Sequence, residues 1–429
     1  MSSYSMANRA PWRPLVLGLT LSVGLGCGGD GPTNPDRVDD AGEDTSDHHD
    51  HDAGSDDHED TGSTADVDSK AADLRVTLDL LLGEHLIFAA KATGAALGGR
   101  SDEYNAYGAL LGKNGTDVGK LVGEAFGDAA EAQFNGIWSA HNSFFVEYTT
   151  GVASHDQAKQ QKAVDSLTNT YVPAFSKLIA DATGLPLGAV TDLTTEHVLK
   201  TKAIVDAQAK QDWPAAYAAT REGFAHMQMI GDALSQAIAG KLADTFPGNP
   251  AAKGVDLRVA LNQLLQEHMY LASFATGAAL GGRNDEFAAA GAALNENGTD
   301  VGGAVGQLFG KAAETELNRI WSAHNGFFVD YTTAVATHDQ AKQKQAVDDL
   351  TKIYVPEFAA FLAGATDLPE ATLASLTTGH VVATKAVVDL QAAGNESGAS
   401  TADREAAQHM QMMADPLASA IVAKLPDSF

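Results

Sequence analysis

The chain has 429 residues, 56 acidic against 28 basic side chains, a net charge of −28 and one cysteine. That balance argues against nucleic acid, which needs clustered Lys and Arg against phosphate, and does not favour an anionic membrane surface. A single cysteine excludes an internal disulfide, so stability must come from packing or from metal.

The N-terminus reads as an export signal over residues 1–26. Arg9 and Arg13 precede an apolar stretch from Leu15 to Leu25 that is too short, and too broken by Gly18 and Gly24, to span a bilayer. It closes on Gly24-Leu25-Gly26-Cys27, which resembles a bacterial lipobox although glycine stands where leucine is usual. The resemblance implies lipidation at Cys27, a membrane partner through the lipid, and a place in the cell envelope, on the outer membrane of a Gram-negative bacterium. Residues 27–70 are rich in Gly, Pro, Ser, Thr and Asp and predict a disordered tether. Its run Asp47-His48-His49-Asp50-His51-Asp52 suits either loose capture of Zn²⁺, Cu²⁺ or Ni²⁺ or a solvated spacer.

The rest of the chain is a duplication. Residues 73–246 align with 256–429 at a constant offset of 183, without gaps, and 101 of 174 positions are identical. The expected domains are 71–246 and 256–429, joined by a linker at 247–255 that carries Pro247 and Pro250. Apolar residues recur at helical spacing, with no sustained period-2 runs. In the first repeat the pattern predicts a helix over about 70–92 and a short pair across 101–127, broken at Asn114-Gly115 and Gly127-Asp128. A long helix follows over 129–153. His155-Asp156 starts another over 156–183, interrupted near Pro173, and two more occupy 187–209 and 212–245. The second repeat follows the same order. The expected fold is all-α: two tandem antiparallel bundles of four principal helices each, ferritin- or haemerythrin-like in general architecture.

Every histidine of the repeats occurs twice: His85/His268, His141/His324, His155/His338, His197/His380 and His226/His409. At this level of identity, retention alone is weak support for a site. Placement is stronger. His85 lies among Leu78, Leu81, Leu82 and Phe88, and His141 follows Ile137 and Trp138. His197 lies between Leu193 and Ile204, and His226 precedes Met229 and Ile230. All four therefore belong to apolar stripes of different helices, as do their partners. Buried imidazoles need partners, and facing helices of a bundle build metal sites this way. The alternative is a hydrogen-bonded polar layer with no ion. His155 and His338 start a helix and read as surface or capping residues.

The carboxylates narrow the chemistry. Glu84 and Glu267 precede the first core histidine of each repeat, but Glu196 has become Gly379. A di-iron site wants Glu-x-x-His pairs on facing helices, and none occurs. Haem needs two axial histidines and leaves two unexplained. Neutral imidazoles favour copper or zinc, and Met227, Met229, Met410, Met412 and Met413 offer thioethers or simply fill the core. The expected metal ligands are His85, His141, His197 and His226, with His268, His324, His380 and His409. Glu84 and Glu267 are added as supporting or additional ligands.

Other retained blocks read structurally. Residues 93–100 and 276–283 end a helix on glycine, leaving Arg100 and Arg283 for the last carbonyls or an acid across the bundle. Asn114-Gly115-Thr116-Asp117 and its counterpart at 297–300 read as a turn into a capped helix. Trp138/Trp321 and Tyr148/Tyr331, which flank the histidine of their helix, read as core aromatics, the tyrosines alternatively as hydrogen-bond donors or redox partners of a metal site.

Three segments together resemble a helical domain of exported bacterial proteins: Glu84-His85, the Trp138, His141, Phe144, Phe145 and Tyr148 set, and His226-Met227. Some of those proteins are described as copper amine oxidase-like through a different, fused domain. The resemblance spans 73–429 and implies at most a link to copper, since nothing in this chain resembles a β-rich oxidase domain. The expected function is a surface-anchored lipoprotein that binds copper or zinc in each bundle. The alternatives are a haem- or metal-dependent redox enzyme using the same core, and a structural or adhesive lipoprotein.

Overall fold

The computed structural model describes residues 66–429; the signal-like segment, Cys27 and the Asp/His run lie outside the described residues. The first repeat contributes α1 (Lys70–Leu97), α2 (Ser101–Phe126), α3 (Asp128–Ala153), α4 (Gln157–Ser166), α5 (Val172–Thr183), α6 (Leu187–Ala209) and α7 (Trp213–Lys241). The second contributes α8 (Lys253–Leu280), α9 (Asn284–Phe309), α10 (Lys311–Ala336), α11 (Gln340–Asp349), α12 (Val355–Thr366), α13 (Glu370–Ala392) and α14 (Glu396–Lys424). The fold is all-α, as the 3.6-residue periodicity predicts.

Local chemistry accounts for most boundaries. Ser69 caps α1 by accepting from the Ala72 amide, and Asp156 caps α4 by accepting from the Lys159 amide. His155 and His338, just before their capping aspartates, take φ of 54° and 55° and stand exposed. Gly127, at φ 86°, turns the chain sharply between α2 and α3.

Asn114-Gly115 does not break the chain. α2 is one continuous helix, so each repeat has five long helices where the sequence suggested four. Tertiary contact overrides the local propensity here. Gly115 lies under the Trp138 indole, where an added Cβ would come within 2.7 Å of Cδ1. Asn114 is fully buried, and its Nδ2 donates to Leu81 O at 2.8 Å and to Glu84 at 3.0 Å.

Pro173 also acts differently from a simple interruption. The chain widens into a π turn over Leu167–Tyr171 before α5 begins. A proline lacks the N–H of an α ladder and crowds the carbonyl four residues back, and the wider turn relieves both. Leu350–Tyr354 repeats this ahead of Pro356.

Packing then explains an oddity of α1. It is long and apolar enough to cross a membrane, with mean hydropathy 1.3 over 18 residues, yet 78% of that window is buried in the protein. It packs against α2, α3, α6 and α7 of its own repeat and against α8 of the other. A helix hidden all round needs no polar face. The repeats also meet through α2 with α14 and α7 with α9, and all these helices belong to one compact unit.

Reciprocal ion pairs mark this contact. Arg75 pairs with Asp232 and, across the repeats, with Asp256; Arg258 pairs with Asp415 and with Asp73. One feature is not reciprocal. Lys91, 4% exposed, donates to Ser273 at 2.6 Å, sits 3.2 Å from the fully buried Asp403, and lies over the Phe274 ring. The positions equivalent to Lys91 and Asp403 are Phe274 and Thr220.

Candidate metal centres

Three helices of each repeat bring one histidine to a common point. His85 comes from the middle of α1, His141 from α3 and His197 from α6, each inside the core at 4% exposure or less. One nitrogen from each lies within 4.8 Å of the others. Ring centroids are 5.3 Å apart for His85–His141, 5.9 Å for His85–His197 and 6.0 Å for His141–His197. His268, His324 and His380 reproduce this at 5.3, 5.9 and 6.2 Å. In that copy His324 Nε2 and His268 Nε2 are 3.4 Å apart. Two nitrogens on one tetrahedral ion, each about 2.0–2.1 Å from it, would be about 3.3–3.4 Å apart.

Protons are placed by the neighbours. His141 Nδ1 lies 2.6 Å from Trp138 O, and His324 Nδ1 lies 2.6 Å from Trp321 O. A carbonyl only accepts, so Nδ1 carries the hydrogen and Nε2 of the neutral ring presents its lone pair to the cluster. An imidazole held through Nδ1–H to a backbone carbonyl is the arrangement that orients a metal-binding Nε2. His141 Nε2, His85 Nδ1 and both ring nitrogens of His197 are buried without a hydrogen-bond partner.

Burial keeps these rings neutral. It holds His141 and His324 down to about 4 and His197 and His380 down to about 3, against an ordinary 6.5. Burial, then the neighbouring imidazoles, pushes His85 and His268 well below the ordinary value. At neutral pH all six are therefore unprotonated, the form that binds cations.

The aromatic surround locks the rings. Trp138 packs 4.5 Å from His85, and Tyr171 stacks on His141 at 4.5 Å with planes 17° apart. Tyr171 is delivered by the π turn, and Tyr354 does the same for His324 at 4.7 Å.

Several expected participants lie elsewhere. His226 is buried, but its Nε2 donates to Leu193 O at 2.9 Å, and it is not among the converging nitrogens. His409 likewise donates to Leu376 O at 3.1 Å. Its ring lies where a Cβ on residue 379 would fall, 2.7 Å from Cε1, which glycine there permits. Glu84 and Glu267 do not join the clusters either. Arg404 forks onto Glu84 at 2.8 and 2.7 Å, and Tyr270 adds a bond at 3.2 Å. Arg221 grips Glu267 at 3.0 and 3.1 Å. Both acids thus join the two repeats.

Tyr148 points its hydroxyl to Asp206 at 2.5 Å, so Tyr171 is the tyrosine of the centre. Met229 and Met412 are 50% and 59% exposed and cannot reach a buried ion, while Met227 belongs to the core. Arg100 and Arg283 pair with Glu103 and Glu286 at the start of the following helix. Tyr171 and Asn142 are signalled in the sequence only by Tyr-Val-Pro and His-Asn, which recur in both repeats.

Each triad offers three neutral nitrogen donors and no carboxylate, and each could hold a metal ion. That donor set suits borderline transition metals rather than hard cations. No family model, curated protein or solved structure matches this chain.

Proposed function

We propose that this protein is an exported, lipid-anchored metal-binding protein that holds one copper or zinc ion in each repeat. His85, His141 and His197 are the ligands in the first, His268, His324 and His380 in the second. The observation that carries this is the convergence of buried imidazole nitrogens from three helices in each repeat, four of them unpartnered in the first and His268 Nδ1 in the second. Each such atom costs a few kcal/mol when left without a partner in the core. A polar layer without an ion would pair such nitrogens with one another or with backbone; in the first repeat His85 Nδ1, His141 Nε2 and both nitrogens of His197 have no such partner. An ion satisfies them together. Copper and zinc are favoured over iron because no carboxylate enters the cluster. The acidic Asp/His segment then serves as a weak collector near the membrane, and the lipid on Cys27 does the anchoring.

The test is metal analysis of the full chain carrying His48→Ala, His49→Ala, His51→Ala and His58→Ala, purified without an affinity tag. About two equivalents of copper or zinc are expected, falling to near zero when His85→Ala and His268→Ala are added. A protein that neither co-purifies with metal nor takes it up overturns the proposal.

A further inference from the structure

Beside each triad lies a cavity, and the two cavities are built from equivalent positions. In the first repeat it measures about 350 Å³ and in the second about 230 Å³. The first touches His85 and runs between Ala89 on α1, Tyr104 on α2 and Phe145 on α3 to a rim at Val146, which is 45% exposed. The second touches His268, His324 and His380, with Ala272, Phe287 and Phe328 at the matching places. At roughly 30 Å³ per water, each has room for about eight to twelve waters, the size of a small organic molecule.

The chemistry of the lining is specific. Several hydroxyls of the first cavity are already committed: Thr149 donates to Phe145 O, Thr150 to Val146 O, Thr201 to His197 O and Thr93 to Gln208. Asn142 and Asn325 line their cavities and have no side-chain hydrogen bond among the described residues. No aspartate or glutamate lines either cavity. Most of the remaining wall is alanine, valine, leucine and aromatic surface; Arg100, held by Glu103, and Ser101 also line the first cavity, and Asn284 the second.

From this geometry we infer that each centre keeps one coordination position open to its cavity, which admits a small molecule with an anionic donor head and an apolar body, of the short-chain carboxylate class. The inference rests on the metal-binding reading above. Three protein ligands plus an open position is the arrangement of catalytic and ligand-binding metal sites, whereas structural sites are closed by four. Three neutral imidazoles leave a divalent charge uncompensated in a dry core, so an anionic donor is favoured at the fourth position. The apolar walls take the body of the ligand, and Asn142 or Asn325 is free to bond its second oxygen.

The experiment uses the full chain with the four tail histidines replaced, loaded with cobalt(II), whose visible bands report coordination. Acetate and pentanoate are titrated in turn. Both are expected to shift the bands, with pentanoate tighter by roughly tenfold or more, since a buried methylene strengthens binding about fourfold. Ala89→Leu with Ala272→Leu fills the cavities; it should keep two cobalt ions and respond to acetate, but lose the preference for pentanoate. Chain-length dependence is read on the unaltered cavity, so it decides the matter even if the filled variant does not fold. Bands unmoved by either carboxylate, or equal affinity for both, overturn the inference and leave the metal centre standing. A cobalt count near zero overturns both, and the count separates the two failures.

Discussion

Arg404, from the last helix of the second repeat, forks onto both carboxylate oxygens of Glu84 in the first helix of the first, at 2.8 and 2.7 Å, with both side chains under 8% exposed. Glu84 is adjacent in sequence to His85, yet serves the contact between repeats and not the cluster. Glu84→Ala should therefore leave metal content at two equivalents while costing about 1–3 kcal/mol of stability, because the buried Arg404 loses its forked partner and keeps only Asp117 at 2.8 Å. Chemical denaturation alongside metal analysis checks this. A loss of metal with stability unchanged would return Glu84 to the ligand set.

The two kinds of inward histidine separate in the same assay. His197→Ala should remove about one equivalent of metal, and His226→Ala should remove none while lowering stability by about 1–3 kcal/mol through the loss of its bond to Leu193 O. Equal loss of metal from both variants would show a four-histidine centre.

Acid should unfold the metal-free protein. The unfolded imidazoles take up protons near 6.5, while His141 and His324 hold off until about 4 and His197 and His380 until about 3. Their folded values are depressed, so stability is present above 6.5 and is lost as pH falls toward those values. Each ring contributes up to about 1.4 kcal/mol per pH unit in that window. Denaturation midpoints of the apo protein at pH 7.5, 6.5, 5.5 and 5.0 would show it; a flat profile would not fit buried neutral imidazoles. Added metal, competing with protons for the same nitrogens, should shift the fall to lower pH.

Gly115→Ala tests the contact that keeps α2 continuous. In an exposed helix the change would help by up to about 1 kcal/mol. Here the new Cβ meets the Trp138 ring at 2.7 Å, so a net loss of about 1–3 kcal/mol is expected, with altered tryptophan fluorescence. A stabilised protein would mean that the indole moves aside.

Lys91 and Asp403 form the asymmetric element of the contact between repeats. Lys91→Met alone should cost about 3–5 kcal/mol by stranding Asp403, and adding Asp403→Leu should recover most of it. Thermal melts of the single and double variants decide; equal melting of both would show that the pair is not coupled.

The helices were legible because apolar residues recur with the helical period over long stretches, and the inward placement of His85, His141 and His197 followed from that alone. What sequence could not show was which inward nitrogen finds another partner first. His226 has the same apolar flanks as His197 but lies within reach of Leu193 O, a contact 33 residues away along the chain. Asn114-Gly115 has the composition of a turn, and only the indole of Trp138 explains why a glycine is needed inside a helix. The arginines that claim Glu84 and Glu267 come from the opposite repeat, beyond any local pattern.

The burial of α1 and α8 against each other has a further consequence. A single repeat would present the full length of such a helix to water and would be driven to find a second copy, at a rate and to an extent set by how many molecules shared the compartment. Joining both copies in one chain makes that meeting intramolecular, at a fixed effective concentration. The chain then keeps both histidine clusters assembled however dilute it becomes.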